Sequence, residues 1–169
     1  MNPRLLSTLS TSMLHTLSPA DQKRCREVSV ARHDQNVAAG VKDMQRGRQD
    51  TAEIELNGMG GEVAFCRLFG LEPDWVNVPG GKGRDDAKLP DGRIVDVKTT
   101  DHPRGNLIAR KIHDDVDVFV LMRGRFPCYK AVGWIEKGIF QRSRKKNLGH
   151  GPTHFYKTEN LHPMDTLLG

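Results

Sequence analysis

The chain has 169 residues, with 26 Lys and Arg against 21 Asp and Glu, a formal net charge of +5. That length suits one domain able to bury its own core, and 37% hydrophobic content is too much for wholesale disorder. The longest apolar run, residues 118–122, falls far short of the roughly 20 residues a membrane helix needs, which excludes a membrane-spanning protein.

Three cysteines, Cys25, Cys66 and Cys128, are widely spaced and odd in number. They build neither a disulfide scaffold nor a CxxC zinc site, so a reducing, cytoplasmic setting is expected rather than secretion. The charge is unevenly placed. Residues 1–100 hold 14 basic and 14 acidic side chains, and residues 101–169 hold 12 and 7. The whole excess of five therefore lies in the last 69 residues, which suggests a polyanionic partner.

Residues 1–17 are rich in Ser, Thr and Leu with one charge, Arg4, and read as a flexible tail. The rest, 18–169, reads as a single domain. Ser18-Pro19-Ala20-Asp21 is a helix start: a Ser N-cap, Pro in the first turn and an acid facing the helix dipole. That helical segment extends to about residue 48. A second helix is expected over 49–69, stopped by Gly70 in a left-handed conformation. Gly58, Gly60 and Gly61 inside it each cost about 1 kcal/mol relative to Ala, so they imply close backbone packing or a break.

Residues 71–84 read as a loop. Next comes Pro90-Asp91-Gly92, a three-residue hairpin loop with Gly in the left-handed position. Further strands are expected at 116–122 and 129–135 around a turn at 124–128. A short helix follows at 136–141, then a basic loop at 142–146 and a last strand at 154–157. The strands read as mainly antiparallel, and the whole as a mixed α+β or α/β layer fold.

The hairpin register can be argued from its pattern. A three-residue loop sets Leu89 opposite Arg93, Lys88 opposite Ile94, Ala87 opposite Val95 and Asp86 opposite Asp96. Ala87, Leu89, Val95 and Val97 then share an apolar face. Asp86, Lys88, Ile94, Asp96 and Lys98 share the other. A one-residue slip would mix the two sets. Two carboxylates on one face favour a bound cation, and all-oxygen ligands suit Mg²⁺ or Mn²⁺. A lysine beside that ion can orient a water for phosphodiester hydrolysis. The acid-x-Lys pattern is common, however. It also occurs at Asp21-Gln22-Lys23 and Asp86-Ala87-Lys88, and a solvated hairpin with an incidental ion pair is the rival reading.

The sequence resembles the PD-(D/E)XK, or restriction-endonuclease-like, nuclease superfamily. The resemblance rests on Asn57-Gly58-Met59-Gly60-Gly61-Glu62-Val63-Ala64-Phe65, on Asp86, and on Ile94-Val95-Asp96-Val97-Lys98-Thr99-Thr100. It covers roughly residues 50–140 and is similar to small nuclease-like proteins of bacteriophages. It implies a central mixed β-sheet flanked by helices, with N-terminal helices before the catalytic hairpin. It implies that Asp86 and Asp96 bind the metal with the Val97 carbonyl, that Lys98 positions the attacking water, and that Glu62 completes the acidic cluster. Asp96 stands where the family often has Glu. The residue before Asp86 is Asp85 rather than Pro, which makes Asp85 the reserve first ligand. Glu55, two turns before Glu62, is a candidate helper, and Thr99 and Thr100 are candidate phosphate contacts.

Nucleic-acid contacts are expected from Arg104, Arg110 and Lys111, and from the dense cluster Arg142, Arg144, Lys145 and Lys146. Such contacts grip phosphate without reading sequence. The seven histidines form no convincing ligand set; His150 and His154 are spaced for a helix that their Gly and Pro neighbours oppose. Trp75, Trp134 and Tyr129 read as core or edge aromatics, and Cys66 as a buried thiol. The expectation is a metal-dependent nuclease acting on nucleic acid, most simply DNA. A catalytically inactive nucleic-acid-binding protein on the same fold is the alternative. The oligomeric state stays open, with a homodimer among the options.

Overall fold

The computed structural model describes residues 13–40, 51–75, 86–149 and 151–169. Its first helix, α1, spans Pro19–Ala38. The Ser18 side chain accepts a hydrogen bond from the Asp21 backbone N–H, a cap typically worth about 1 kcal/mol. The helix stops ten residues before the expected limit, and 41–50 lie outside the described residues.

The second helix, α2, spans Thr51–Leu68 without a break at its glycines. Gly70 follows at φ +65°, the left-handed stop expected of it. Two glycines explain how closely α2 is seated. A Cβ on Gly60 would run into the Tyr129 hydroxyl, and one on Gly61 into the Thr99 hydroxyl. Gly58 has open space around it and is not required by packing. An Arg67–Asp21 pair ties the two helices together. Two guanidinium nitrogens donate to the Asp21 carboxylate at 3.1 and 2.9 Å.

Five strands form the main sheet, in the order β1-β6-β5-β3-β2. They are β1 (Leu14–Thr16), β2 (Ala87–Lys88), β3 (Ile94–Thr100), β5 (Val118–Arg125) and β6 (Cys128–Glu136). The β2–β3 register sets Ala87 opposite Val95 and Lys88 opposite Ile94, as the apolar pattern predicts. Gly92 takes φ +92° in the turn.

Three features depart from the sequence reading. The tail expected over 1–17 is ordered at its end. Leu14–Thr16 pairs with β6, and Leu17 is buried with its N–H on the Pro127 carbonyl. The strands pair mainly antiparallel, as expected, but β3 and β5 run parallel over six residue pairs. Asp117 fixes the start of that ladder. Its carboxylate accepts from the Ile94 N–H at 2.8 Å, and its own N–H donates to the Ile94 carbonyl at 2.9 Å. Finally, the crossover from β3 to β5 carries β4 (Leu107–Ala109), which the sequence reading leaves as loop.

β4 belongs to a second sheet of order β4-β8-β7, with β7 at Lys145–Asn147 and β8 at Pro152–Tyr156. The expected basic loop at 142–146 thus ends in a strand. A short helix, α3 (Lys137–Gln141), leads into it.

Two cores lie on the two faces of the main sheet. On one, Met59, Val63 and Phe65 of α2 pack with Val95, Val97, Val118 and Val120. On the other, Phe119, Leu121 and Ile135 pack with Leu107 and Ala109 of β4 and Phe140 of α3. The molecule is a mixed α+β layer structure. Among the described residues no helix is long and apolar enough to cross a membrane.

Candidate functional site

Alternation along β3 decides where the hairpin charges go. Val95 and Val97 face α2, so Asp96 and Lys98 leave the opposite face, paired in register with Phe119 and Leu121. The Lys98 ammonium lies 2.7 Å from Asp96 Oδ1, and only 7% of Asp96 is exposed. Burial works against the ammonium. Asp96, then Asp86 and Glu62, outweigh it, and the pKa of Lys98 is raised.

Asp86 sits where β2 begins. Its Oδ2 accepts a 2.7 Å hydrogen bond from the Val97 N–H, so a side chain takes the ladder position that a longer β2 would fill. Burial pushes its pKa well up, and the charges of Glu62 and Asp96 add to the push. The Val97 N–H opposes it. The Val97 N–H is thus engaged by Asp86.

Glu62 lies on α2, the far side of the strand from Asp96. Its Oε2 is 3.6 Å from an Arg32 guanidinium nitrogen on α1. Its field nevertheless reaches the hairpin: it raises Asp86, Lys98 and the Cys66 thiol, which burial first of all pushes up to about 12. Asp86, Asp96 and Glu62 therefore share one electrostatic neighbourhood around the β3 edge. They do not converge as a ligand set. Among the described residues no three His, Cys, Asp or Glu side chains are grouped to hold a metal. Asp85 lies outside the described residues.

A groove of about 530 Å³ opens beside Lys98, between α2 and the second half of β3. Ile54, Asn57, Thr100 and Phe126 are among its walls. Asn57 is committed to the fold: its side chain donates to the Gly124 carbonyl and accepts from the Phe126 N–H and the Tyr129 hydroxyl. Thr99 is held under Gly61 with its buried hydroxyl unpartnered. The Thr100 hydroxyl accepts from the His102 N–H. Glu55 turns to α1, where His33 and Asn36 meet it at 3.7 and 3.5 Å. No local pattern marks the Arg32–Glu62 contact, which depends on how α1 crosses α2.

The basic candidates fall in and around the second sheet. Arg104 and Lys111 are exposed in the loops flanking β4, and Arg110 is half-buried at its end. Arg142 and Arg144 precede β7, and Lys145 and Lys146 begin it. Two clusters far apart in sequence thus flank a single sheet. The aromatics expected to be structural are so: Tyr129 is fully buried, and Trp134 donates to Pro163 and Thr166. Trp75 is half-buried beneath the Arg24 guanidinium. His154 packs on Phe140, and His150 lies outside the described residues.

Residues 8–131 match the model of DUF5843, a family of unknown function, and the chain belongs to that family. The match takes in both helices, the hairpin and the parallel β3–β5 pair, and ends within β6. No curated protein and no solved structure matches the chain.

Proposed function

We propose that the protein is a divalent-metal-dependent nuclease that hydrolyses phosphodiester bonds in DNA, on a restriction-endonuclease-like arrangement of strands and helices. The observation that carries this reading is the hairpin register. It sets Ala87 opposite Val95, so that the Asp86 carboxylate meets the Val97 N–H while the Lys98 ammonium lies against Asp96, beside the edge of the sheet. The resemblance of 57–65 and 94–100 to the PD-(D/E)XK pattern supports the same reading.

The donors suit a hard cation in kind. Asp86 is a half-buried carboxylate whose ionised form is opposed by desolvation and by two neighbouring acids, and a cation would offset that charge. Asp86 and Asp96 would hold Mg²⁺ or Mn²⁺, with the Val97 carbonyl and Glu62 as further donors. Such an ion, when bound, lowers the pKa of a water and offsets charge on a phosphoryl oxygen. Lys98 keeps its proton beside Asp96, so its part is to orient the water and to draw negative charge toward itself. The basic residues around the second sheet would hold the phosphate backbone.

One observation favours a second reading, a binding protein without catalysis on the same scaffold. Lys98 already neutralises Asp96 at 2.7 Å, and the acids do not converge. Purified protein incubated with linear, nicked, branched and single-stranded DNA, in Mg²⁺, Mn²⁺ or EDTA, separates the two. The nuclease reading expects metal-dependent cleavage that Asp96→Ala and Lys98→Ala abolish while circular dichroism stays native. Undiminished cleavage in both variants would sink the mechanism, and no cleavage by the wild type in either metal would leave the binding protein.

A further inference from the structure

The second sheet has a composition of its own. Residues 102–113, which carry β4, hold three Lys or Arg, and residues 142–158, which carry β7 and β8, hold five; neither stretch has an Asp or Glu. Among the described residues, Arg142, Arg144, Lys145 and Lys146 have no ion-pair partner.

Its two faces differ. Leu107 pairs with Tyr156 and Ala109 with His154, and these four turn inward toward the second core. Alternation sends Ile108 and Phe155, paired with each other, to the outer face. Both are half-buried, and neither belongs to either core. Lys146, opposite Thr153 in β7, joins that face, and its ammonium rests 3.8 Å from the centre of the Phe155 ring. Thr153, at the end near Gly151, is buried with its hydroxyl on the Gly151 carbonyl.

We propose that this outer face binds an unpaired nucleic-acid strand, with a base stacked on Phe155 and the backbone held by Arg110, Arg144 and Lys146. A half-buried aromatic ring on a sheet face among basic residues offers both things a single strand needs, a π-face and cations. A duplex hides its base faces and would meet the cations alone. The ammonium on the ring marks the stacking position; on binding, Lys146 exchanges the ring for a phosphate. The proposal deepens the nuclease reading by naming the form of its substrate, but it does not need that reading to hold.

Fluorescence anisotropy in EDTA tests binding without cleavage. The probes are labelled oligodeoxythymidine, oligouridine and a DNA duplex of equal length. The wild type is expected to prefer the single strands. Phe155→Ala should weaken single-strand binding about 5- to 100-fold, the range for loss of one stacked base, and spare the duplex. Phe155→Trp should restore it, which separates stacking from a folding defect. Replacing Arg144 and Lys146 by Ala should flatten the salt dependence by about 0.7 per cation on the log–log slope. Single-strand binding by Phe155→Ala within twofold of the wild type overturns the proposal, as does an equal loss on the duplex or no preference for single strands. The two oligonucleotide chemistries tell DNA from RNA. Single-strand binding with no cleavage under any metal leaves this inference standing and removes the nuclease reading.

Discussion

The β2–β3 edge and the β4–β8–β7 sheet treat charge in opposite ways. At the first, Asp96 is buried, Asp86 takes up a strand position, and Lys98 is pinned against a carboxylate. At the second, eight Lys and Arg stand in segments without one acid, and the cluster before and within β7 is exposed. Buried charges need fixed partners and suit chemistry that depends on position. Exposed charges of one sign suit a mobile polyanion and respond to salt. The contrast gives physical content to the uneven +5: charges locked in place at the hairpin, and Arg142, Arg144, Lys145 and Lys146 exposed before and within β7.

That division can be broken by substitution. The largest effect is expected from Asp96→Ala, which should lower metal-dependent cleavage at least 100-fold while leaving oligonucleotide affinity in EDTA within about twofold. Loss of both together would mean that the two regions are not separate. Replacing Arg144 and Lys146 by Ala should do the reverse, with cleavage falling mainly as salt rises; rates measured at two salt concentrations check it.

Gly61→Ala tests whether the acidic edge depends on how α2 is seated. The new methyl meets the Thr99 side chain on β3, and overpacking of this kind costs about 1–3 kcal/mol. Urea unfolding should show the loss, and Gly58→Ala, which meets open space, should not show it. The smallest effect is expected from Arg67→Ala, about 1–2 kcal/mol for a charge-assisted bidentate contact. The hydrogen bonds from Arg67 hold the Asp21 carboxyl below its usual range. Their stabilisation is therefore present above the unfolded pKa of about 4 and fades as pH falls through the lower folded value. Wild type and Arg67→Ala should converge in stability in acid; a gap unchanged down to pH 2 would show that the pair contributes by packing alone.

The local parts of this structure were legible in the sequence. Ser18 and Pro19 start a helix, and Gly70 ends one, through backbone rules that need no distant partner. The hairpin register followed from Pro90-Asp91-Gly92 and from the sorting of four apolar residues onto one face. What depends on distant pairing was not legible. Leu14–Thr16 and Leu107–Ala109 are three residues long, too short for a period to show, and each is a strand only because β6 or β8 lies beside it. The parallel β3–β5 ladder joins segments separated by a crossover, and no local signal marks it. The candidate site was half legible for the same reason. Asp96 and Lys98 are neighbours on one strand, whereas the place of Glu62 depends on which face of that strand α2 covers.

The Asp86–Val97 hydrogen bond has a consequence for solubility. β2 is only two residues long, so the outer edge of β3 would otherwise offer a free N–H to any passing strand. The Asp86 carboxyl group occupies that position instead and ends the sheet there. Asp86→Ala therefore does more than remove a candidate ligand: it uncaps an edge. The variant is expected to self-associate at concentrations where Asp86→Asn, whose side-chain oxygen still accepts from Val97, stays dispersed. Sedimentation of the two variants side by side would show whether the acid that marks the site also keeps the sheet from growing.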